Sequence, residues 1–225
     1  KALGVSAKRD GVELTGAHPV ARVASYVLEV LGGRAPPAWR ASGVLGAWVA
    51  NLDPPALLLG DDLAAERPVE HVVFAIANAL YLLGRQHLLA CIDPTPQQGH
   101  ARLVGTIGTL LKAMDPSSPH PADPSLLKRL VKLPAGTLAA AAPVAAQLRD
   151  RGGDFGVAAW LEAVQRSADA LGFVLANHLK SAIQMIRDDR RPVSTVSAND
   201  RIRALVLFSI SEPYFDLRRR LGLAI

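Results

Sequence analysis

The strongest constraint on the fold is an apolar stretch from Val72 to Leu83 that only Asn78 interrupts. It is shorter than the roughly 20 residues that a helix needs to cross a bilayer. A helix that is apolar around most of its circumference is typical of a protein interior. The sequence therefore predicts a long buried helix from about Val69 to Ala90, with Pro68 at its start and turn residues 93–96 after it.

The composition favours a core of packed helices. Aromatic residues make up 5% of the 225 residues and half of the chain is apolar, so Leu, Val, Ile and Ala must fill the core. Ala and Leu are strong helix formers. A chain of this length can form one large domain, and we expect a single domain over residues 1–225. Because the first residue is Lys1 rather than Met, we also expect a piece of a larger protein, such as its C-terminal module.

Two short apolar segments predict extended strands. Val44–Leu52 and Ala56–Gly60 have the length of strands, and the turn residues Asp53, Pro54 and Pro55 separate them. Because apolar and polar residues alternate poorly in the first segment, a helix over residues 44–51 remains an alternative. We predict an α+β fold, predominantly α-helical, with a small β-hairpin or sheet.

Apolar residues spaced three and four apart predict further helices. A proline-rich internal loop, residues 115–124, lies among them, because a helix interior does not accommodate prolines at 116, 119, 121 and 124. The predicted helices are His18–Leu31, Gly99–Met114, Ser125–Leu133, Thr137–Arg149, Val157–Arg187 with a break near Asp169 or Gly172, Asp200–Ile210 and Pro213–Leu221.

The charge pattern gives little support for nucleic-acid binding. Twenty-five basic and twenty acidic side chains give a net charge of +5, and the two signs are often interleaved, as in residues 187–191. No aromatic residues are interleaved with the basic residues at 187–191 to stack on bases. A basic helical nucleic-acid-binding module remains one alternative. The lone Cys91 excludes an internal disulfide and the polar start lacks a signal peptide, so we expect a cytoplasmic protein. Because no apolar stretch has the length of a membrane span, we also expect no membrane association.

Common catalytic patterns are missing from the sequence. It contains no G-x-S-x-G elbow and no glycine-rich phosphate loop. No two histidines stand four apart on one predicted helix, the spacing that places two zinc ligands on one face. A site built from His87, His178 and a carboxylate remains geometrically possible. A zinc-dependent hydrolase with an unrecognised ligand set is therefore a second alternative.

Two segments nevertheless occur in the order of a known active site. The segment PALLLGDDL, residues 55–63, predicts a strand and an acidic turn, and FAIANALYL, residues 74–82, predicts the helix after it. This order resembles HtpX-type zinc metallopeptidases, in which such a helix carries an HExxH motif. There the two histidines hold zinc and the glutamate activates a bound water. A third ligand, also a glutamate, comes from a later helix that QRSADALG, residues 165–172, resembles.

The catalytic positions of that motif are substituted in this chain. On the alignment, Asn78 and Leu82 replace the two histidines, and Ala79 replaces the glutamate. Gln165 replaces the third ligand, whereas Asp169 is retained. Zinc prefers imidazole, thiolate or carboxylate ligands, which these substitutions do not supply. The resemblance therefore implies a degenerate site at Asn78, Ala79, Leu82, Gln165 and Asp169, with no catalytic residue, metal or cofactor.

The C-terminal part extends the resemblance. The segments RIRALVLFS, residues 201–209, and SEPYFDLR, residues 211–218, resemble parts of metallopeptidase-like domains appended to bacterial helical-repeat proteins. The likeness covers about residues 40–220 and implies a zincin-like helical core. An unrelated all-helical domain remains an alternative. The favoured function is a non-catalytic interaction or scaffold domain of a larger bacterial protein, bound to protein partners.

A short aromatic and basic cluster near the C-terminus is the candidate contact surface. Tyr214 and Phe215 lie next to each other, and Arg218 follows one helical turn later. Tyrosine and arginine are enriched in interface hot spots, so these residues could anchor a partner. The alternative is that they dock the last helix onto the chain's own core.

Overall fold

The computed structural model describes residues 11–13, 19–32, 36–41, 44–50, 52, 54–64, 67–93, 95–149 and 154–223. Most of these residues lie in helices, and short strands form one small sheet. The predicted α+β class with predominant helix is confirmed.

Four strands form the sheet within the described residues, in the order β1-β2-β4-β3. Strand β4 is antiparallel to β3 and parallel to β2, which is antiparallel to β1. All five residues of β4 are buried. The strands are β1 (Gly11–Glu13), β2 (Ala38–Ala41), β3 (Ala47–Ala50) and β4 (Ala56–Gly60).

The two strands expected from the sequence are confirmed, and two others were missed. Ala47 pairs with Leu59 and Ala50 with Ala56, so the helix considered for residues 44–51 is wrong. Strands β1 and β2 have three and four residues. Their pairing joins distant parts of the chain, and such short segments show no clear periodicity.

The helices account for most of the described residues, and a short 3₁₀ turn spans Leu88–Ala90. They are α1 (Pro19–Leu31), α2 (Asp61–Ala64), α3 (Val69–Leu83), α4 (Pro96–Met114), α5 (Pro124–Leu130), α6 (Ala135–Arg149), α7 (Val157–Ala176), α8 (Leu179–Asp188), α9 (Ala198–Ser209) and α10 (Glu212–Arg220). None of these described helices has both the length and the apolar character to cross a membrane. Residues 115–123, most of the expected proline-rich loop, lie between α4 and α5.

Two predicted helix boundaries are wrong. Helix α3 ends at Leu83 rather than Ala90, because Gly84 leaves the helical conformation with ψ of 137°. The predicted helix over residues 157–187 is broken at Asn177, not near residue 169 or 172. Asn177 has a φ of 48°, in the left-handed region that ends helices. The imidazole of His178 then caps α8 by accepting from the N–H of Ser181 at 3.2 Å.

Helices α3 and α7 pack closely at the centre of the molecule. A Cβ added to Gly172 of α7 would lie 2.9 Å from the Phe74 ring and 3.0 Å from the Phe74 carbonyl oxygen. Only glycine fits this approach without displacing α3. The contact explains why Gly172 does not break α7, and it brings Asn78 of α3 opposite Asp169 of α7.

Candidate functional site

Three of the predicted degenerate positions meet between α3 and α7. The Asn78 amide donates to Oδ1 of Asp169 at 3.0 Å. The Gln165 amide donates to the same oxygen at 3.3 Å. Gln165 and Asp169 stand four residues apart, so both lie on one face of α7. Residues that the sequence separates by up to 91 positions are thus joined at one carboxylate.

An arginine from α9 completes this arrangement. Arg201 contacts Asp169 through two hydrogen bonds, with both Nε–Oδ2 and Nη2–Oδ1 at 2.8 Å. This fork-like pairing is the strongest common geometry between a guanidinium and a carboxylate. Both side chains are 3% exposed. The remaining Nη1 of Arg201 donates to Asp189 at 2.8 Å. We call Asn78, Gln165, Asp169, Asp189 and Arg201 the central network.

Burial and charge act against each other within the central network. Burial raises the pKa of Asp169, while its hydrogen bonds to Arg201 oppose that rise. For Arg201, burial acts to lower the pKa, but Asp169 and Asp189 outweigh it and hold that pKa above its usual value. The guanidinium therefore stays charged at any physiological pH. Its charge is what permits a carboxylate at this depth.

The central network also holds the segment that follows α8. The backbone N–H of Val193 donates to the Gln165 side-chain oxygen at 2.7 Å. The backbone N–H of Arg191 donates to Asp189 at 2.9 Å. Residues 189–193 have no regular secondary structure, so these side-chain contacts supply hydrogen bonds that a helix or strand would otherwise provide.

The other two predicted positions, Ala79 and Leu82, are buried in the apolar core. They pack in the cluster that contains Val49 and Leu57 of the sheet. Both also line a cavity next to the central network. A methyl and an isobutyl group there offer neither a zinc ligand nor a proton acceptor.

The cavity has a volume of about 330 Å³ and lies beside strand β3. Its walls include Trp48 of β3, Asn78 of α3, residues 90, 91, 93 and 95, and residues 188–193. The Arg191 guanidinium lies 4.2 Å from the centre of the Trp48 ring and donates to the Asp93 carbonyl oxygen at 3.2 Å. Arg191 therefore links the two segments next to the strand.

Strand β3 stands at the end of the sheet in the part of the chain that the structure describes. The Gly60 N–H donates to the Gly46 carbonyl at 2.8 Å. In this antiparallel register Trp48 and Ala50 exchange hydrogen bonds with β4, so the backbone groups of Ala47 and Val49 point away from the sheet. Among the described residues, no further strand pairs with this side of β3.

The residues around the cavity do not fit a zinc ion. Asn78, Leu82 and Gln165 are poor or impossible ligands, and the Arg201 guanidinium already neutralises the Asp169 carboxylate. Among the described residues, no group of three or more His, Cys, Asp or Glu side chains is arranged to hold a metal.

The histidines considered for an alternative zinc site have other contacts. The His87 ring stacks on Tyr81 with 4.2 Å between centroids, and its Nδ1 lies 3.0 Å from the Tyr81 carbonyl oxygen. His178 caps α8 and contacts the Ser181 hydroxyl at 2.8 Å. Both imidazoles thus take part in local contacts of the fold.

The thiol of Cys91 lines the cavity but is not activated. Burial raises its pKa to about 12, and Sγ lies 3.2 Å from the carbonyl oxygen of Leu88, to which it donates. A thiol with such a pKa is almost fully protonated at neutral pH, whereas the thiolate is the nucleophile. Cys91 therefore contributes to the wall of the cavity and not to covalent chemistry.

The aromatic and basic cluster near the C-terminus docks the last helix onto the chain's own core. Tyr214 is buried, stacks on Phe173 at 4.9 Å between centroids, and donates to the Asn177 side chain at 2.5 Å. Arg218 is buried and donates to the Val174 carbonyl at 2.6 Å. Phe215 is half-buried. These contacts hold α10 against the end of α7, and partner binding by the three residues stays a prediction.

Comparison with known proteins gives no match. No protein family, no curated protein and no solved structure matches the chain. The likeness to HtpX-type metallopeptidases therefore depends on the quoted residues and stays a prediction.

Sequence reasoning found Asn78, Gln165 and Asp169 but missed the other two members of the central network. Arg201 and Asp189 follow Asp169 by 32 and 20 positions, and no local pattern marks them as neighbours. One signal was present: a carboxylate on the apolar face of a helix needs a buried cation or strong donors. Arg201 stands four positions before the apolar Leu205 on the predicted helix and so shares a face with it, which could have marked it as that cation.

Proposed function

We propose that this chain is a non-catalytic, metallopeptidase-like domain that binds extended polypeptide partners, as part of a larger bacterial protein. One observation carries the proposal: the degenerate positions Asn78, Gln165 and Asp169 are joined to Arg201 in a closed network. That network lies next to a cavity bordered by the end strand of the sheet.

Charge as well as ligand chemistry supports the proposed lack of catalysis. A catalytic zinc site combines a cation with anionic or imidazole ligands and a bound water. Here the cation is the guanidinium of Arg201, fixed by two carboxylates. A second cation at this place would repel the first, and the methyl group of Ala79 cannot act as a general base.

The binding of extended partners is supported by the edge of the sheet. Backbone groups of Ala47 and Val49 point away from β4, and a strand that adds to such an edge gains main-chain hydrogen bonds. The cavity beside β3 supplies room for side chains of the added strand. The Arg191 and Trp48 pair stands next to this edge and would contact the partner.

Photo-crosslinking from the rim of the cavity tests this function. Leu45 is 53% exposed and lines the cavity just before β3, whereas Leu207 on α9 is 62% exposed and lies outside it. A benzoylphenylalanine in place of Leu45 should capture members of a mixture of short random-sequence peptides, and the same residue in place of Leu207 should not. Equal capture at the two positions, or no capture at either, contradicts the proposal.

A further inference from the structure

The segment formed by α5 and α6, residues 124–149, is exposed although it is apolar. Helix α5 has no buried residue, and Ala145 is the buried residue among the described side chains of α6. Between Gly136 and Leu148 no charged side chain occurs. Apolar helices normally lie in an interior. Both of these helices contact α4 and leave much of their surface to solvent.

Large aliphatic side chains stand out on this segment. Val131 is 64% exposed, Leu133 is 41% exposed and Val144 is 57% exposed. Val131 and Leu133 belong to the connection between α5 and α6, at residues 131–134. Covering exposed aliphatic groups removes them from water and lowers the free energy, so such groups mark a contact surface.

The charge of the segment indicates what covers it. Lys128, Arg129 and Lys132 are exposed around Val131 and Leu133, and no Asp or Glu occurs from residue 124 to residue 149. None of the three cations forms an ion pair with a described residue. Other basic residues of the chain, such as those at 187–191, are interleaved with acids. This segment therefore presents aliphatic groups and positive charge without compensation.

We propose that the α5–α6 segment binds the surface of an anionic lipid bilayer, with Lys128, Arg129 and Lys132 at the headgroups and Val131 and Leu133 inserted beside them. A bilayer interface offers anionic headgroups and apolar chains within the same few ångströms, and surface-binding elements combine cations with aliphatic side chains for that reason. The proposal is independent of peptide binding at β3.

Other occupants fit the segment less well. Nucleic acid offers no apolar surface for Val131 and Leu133, and the segment has no aromatic residue to stack on a base. A protein partner would need carboxylates and apolar side chains placed to match these particular cations and aliphatic groups. An anionic bilayer supplies both components everywhere on its surface.

Binding to a bilayer surface differs from crossing it. The expectation of no membrane association came from the lack of a span of suitable length, and no described helix has one. An element that lies on the interface needs only a cationic and aliphatic surface. The proposal therefore replaces that expectation for residues 124–149.

Vesicle sedimentation of the 225-residue chain tests the proposal. Wild-type protein should sediment with vesicles that contain about a third phosphatidylserine in phosphatidylcholine, should stay in solution with pure phosphatidylcholine, and should dissociate as salt is raised. The triple variant Lys128→Ala, Arg129→Ala, Lys132→Ala and the double variant Val131→Ser, Leu133→Ser should each bind the anionic vesicles about tenfold or more weakly.

Matched variants separate this surface from general charge and hydrophobicity. The substitutions Lys180→Ala, Arg187→Ala and Arg203→Ala remove three exposed cations elsewhere, and Leu207→Ser removes an exposed aliphatic group. Both controls should bind as the wild type does. Failure of the wild type to bind anionic vesicles overturns the proposal, and so does equal weakening by the controls. Retention by an acidic protein with no vesicle binding overturns it in favour of a protein partner.

Discussion

At the scale of single residues, one carboxylate organises the site. Asp169 accepts hydrogen bonds from Asn78, Gln165 and Arg201. These donors lie on α3, on its own helix α7 and on α9, respectively. An unpaired carboxylate at this depth would be protonated or would destabilise the fold. The charge of Arg201 is thus a requirement of the fold.

Removal of Arg201 should be costly. Arg201→Ala leaves Asp169 buried without its cation, and we expect a loss of about 3–5 kcal/mol in the free energy of unfolding. The measurement is urea denaturation at neutral pH. Arg219→Ala is the matched control, because its ion pair with Asp216 is 60% and 41% exposed and should contribute less than about 1 kcal/mol. Similar losses in the two variants would contradict this role.

The Arg201→Ala variant should also change its dependence on pH. Without the cation, burial and the neighbouring charge of Asp189 raise the pKa of Asp169 in the folded state further above the unfolded value, and the hydrogen bond from Gln165 opposes them only in part. A carboxyl group whose pKa is higher in the folded state stabilises the fold fully when the pH is below its unfolded pKa of about 3.9. That stability is lost as the pH rises through the folded pKa. The deficit relative to wild type should therefore be smaller near pH 4 than at pH 7. A deficit that grows on acidification would show that Asp169 is not the group left unpaired.

The thiol of Cys91 should react slowly in the folded protein. Its pKa of about 12 leaves very little thiolate at pH 8, so reaction with a disulfide reagent should be about a hundredfold or more slower than in the urea-unfolded chain. Because the folded pKa exceeds the unfolded value, the stability from the protonated thiol is full at neutral pH and is lost as the pH rises from about 8.5 toward 12. Equal rates in the two states would contradict the assignment.

At the scale of secondary-structure elements, the site depends on the contact between α3 and α7. The glycine at 172 lets the backbone of α7 approach Phe74, and Asn78 lies about one turn further along α3. Close backbone approach sets the position at which the amide of Asn78 meets Asp169. A change in this spacing should disturb both the core and the central network.

Gly172→Ala should therefore destabilise the protein. The added methyl group would lie 2.9 Å from the Phe74 ring and 3.0 Å from its carbonyl oxygen, and overpacking of this kind costs about 1–3 kcal/mol. Gly105→Ala in α4 meets nothing within 4 Å and should be neutral or stabilise by up to about 1 kcal/mol, because alanine favours helix. Thermal unfolding of the two variants checks the prediction, and a Gly172→Ala variant as stable as Gly105→Ala would refute it.

Elements with strong periodicity could be predicted, and elements defined by distant contacts could not. Helices α3 and α4 and strand β4 follow from their apolar patterns. The break at Asn177 depends on one left-handed residue, and β1 and β2 depend on strand partners far along the chain. The positions of the site came from a resemblance in order, but the pairing of Asp169 with Arg201 is a tertiary contact that periodicity does not encode.

At the scale of the whole molecule, the central network joins α3, α7, α9 and residues 189–193 beside one cavity. Buried ion pairs contribute little net stability compared with apolar packing. Their main effect here is to fix the segment 189–193, and with it Arg191, next to the edge of the sheet. The fold thus places a cavity next to the end strand of the sheet, as the proposed binding function requires.

The zinc content of the purified chain tests this account most directly. After equilibration with zinc and removal of the excess, elemental analysis should find less than about a tenth of an equivalent per chain, and neither zinc nor a chelator should change the unfolding temperature. About one equivalent of zinc that stabilises the fold, and that is lost in the Asp169→Asn variant, would contradict the claim that Arg201 provides the cation of this site.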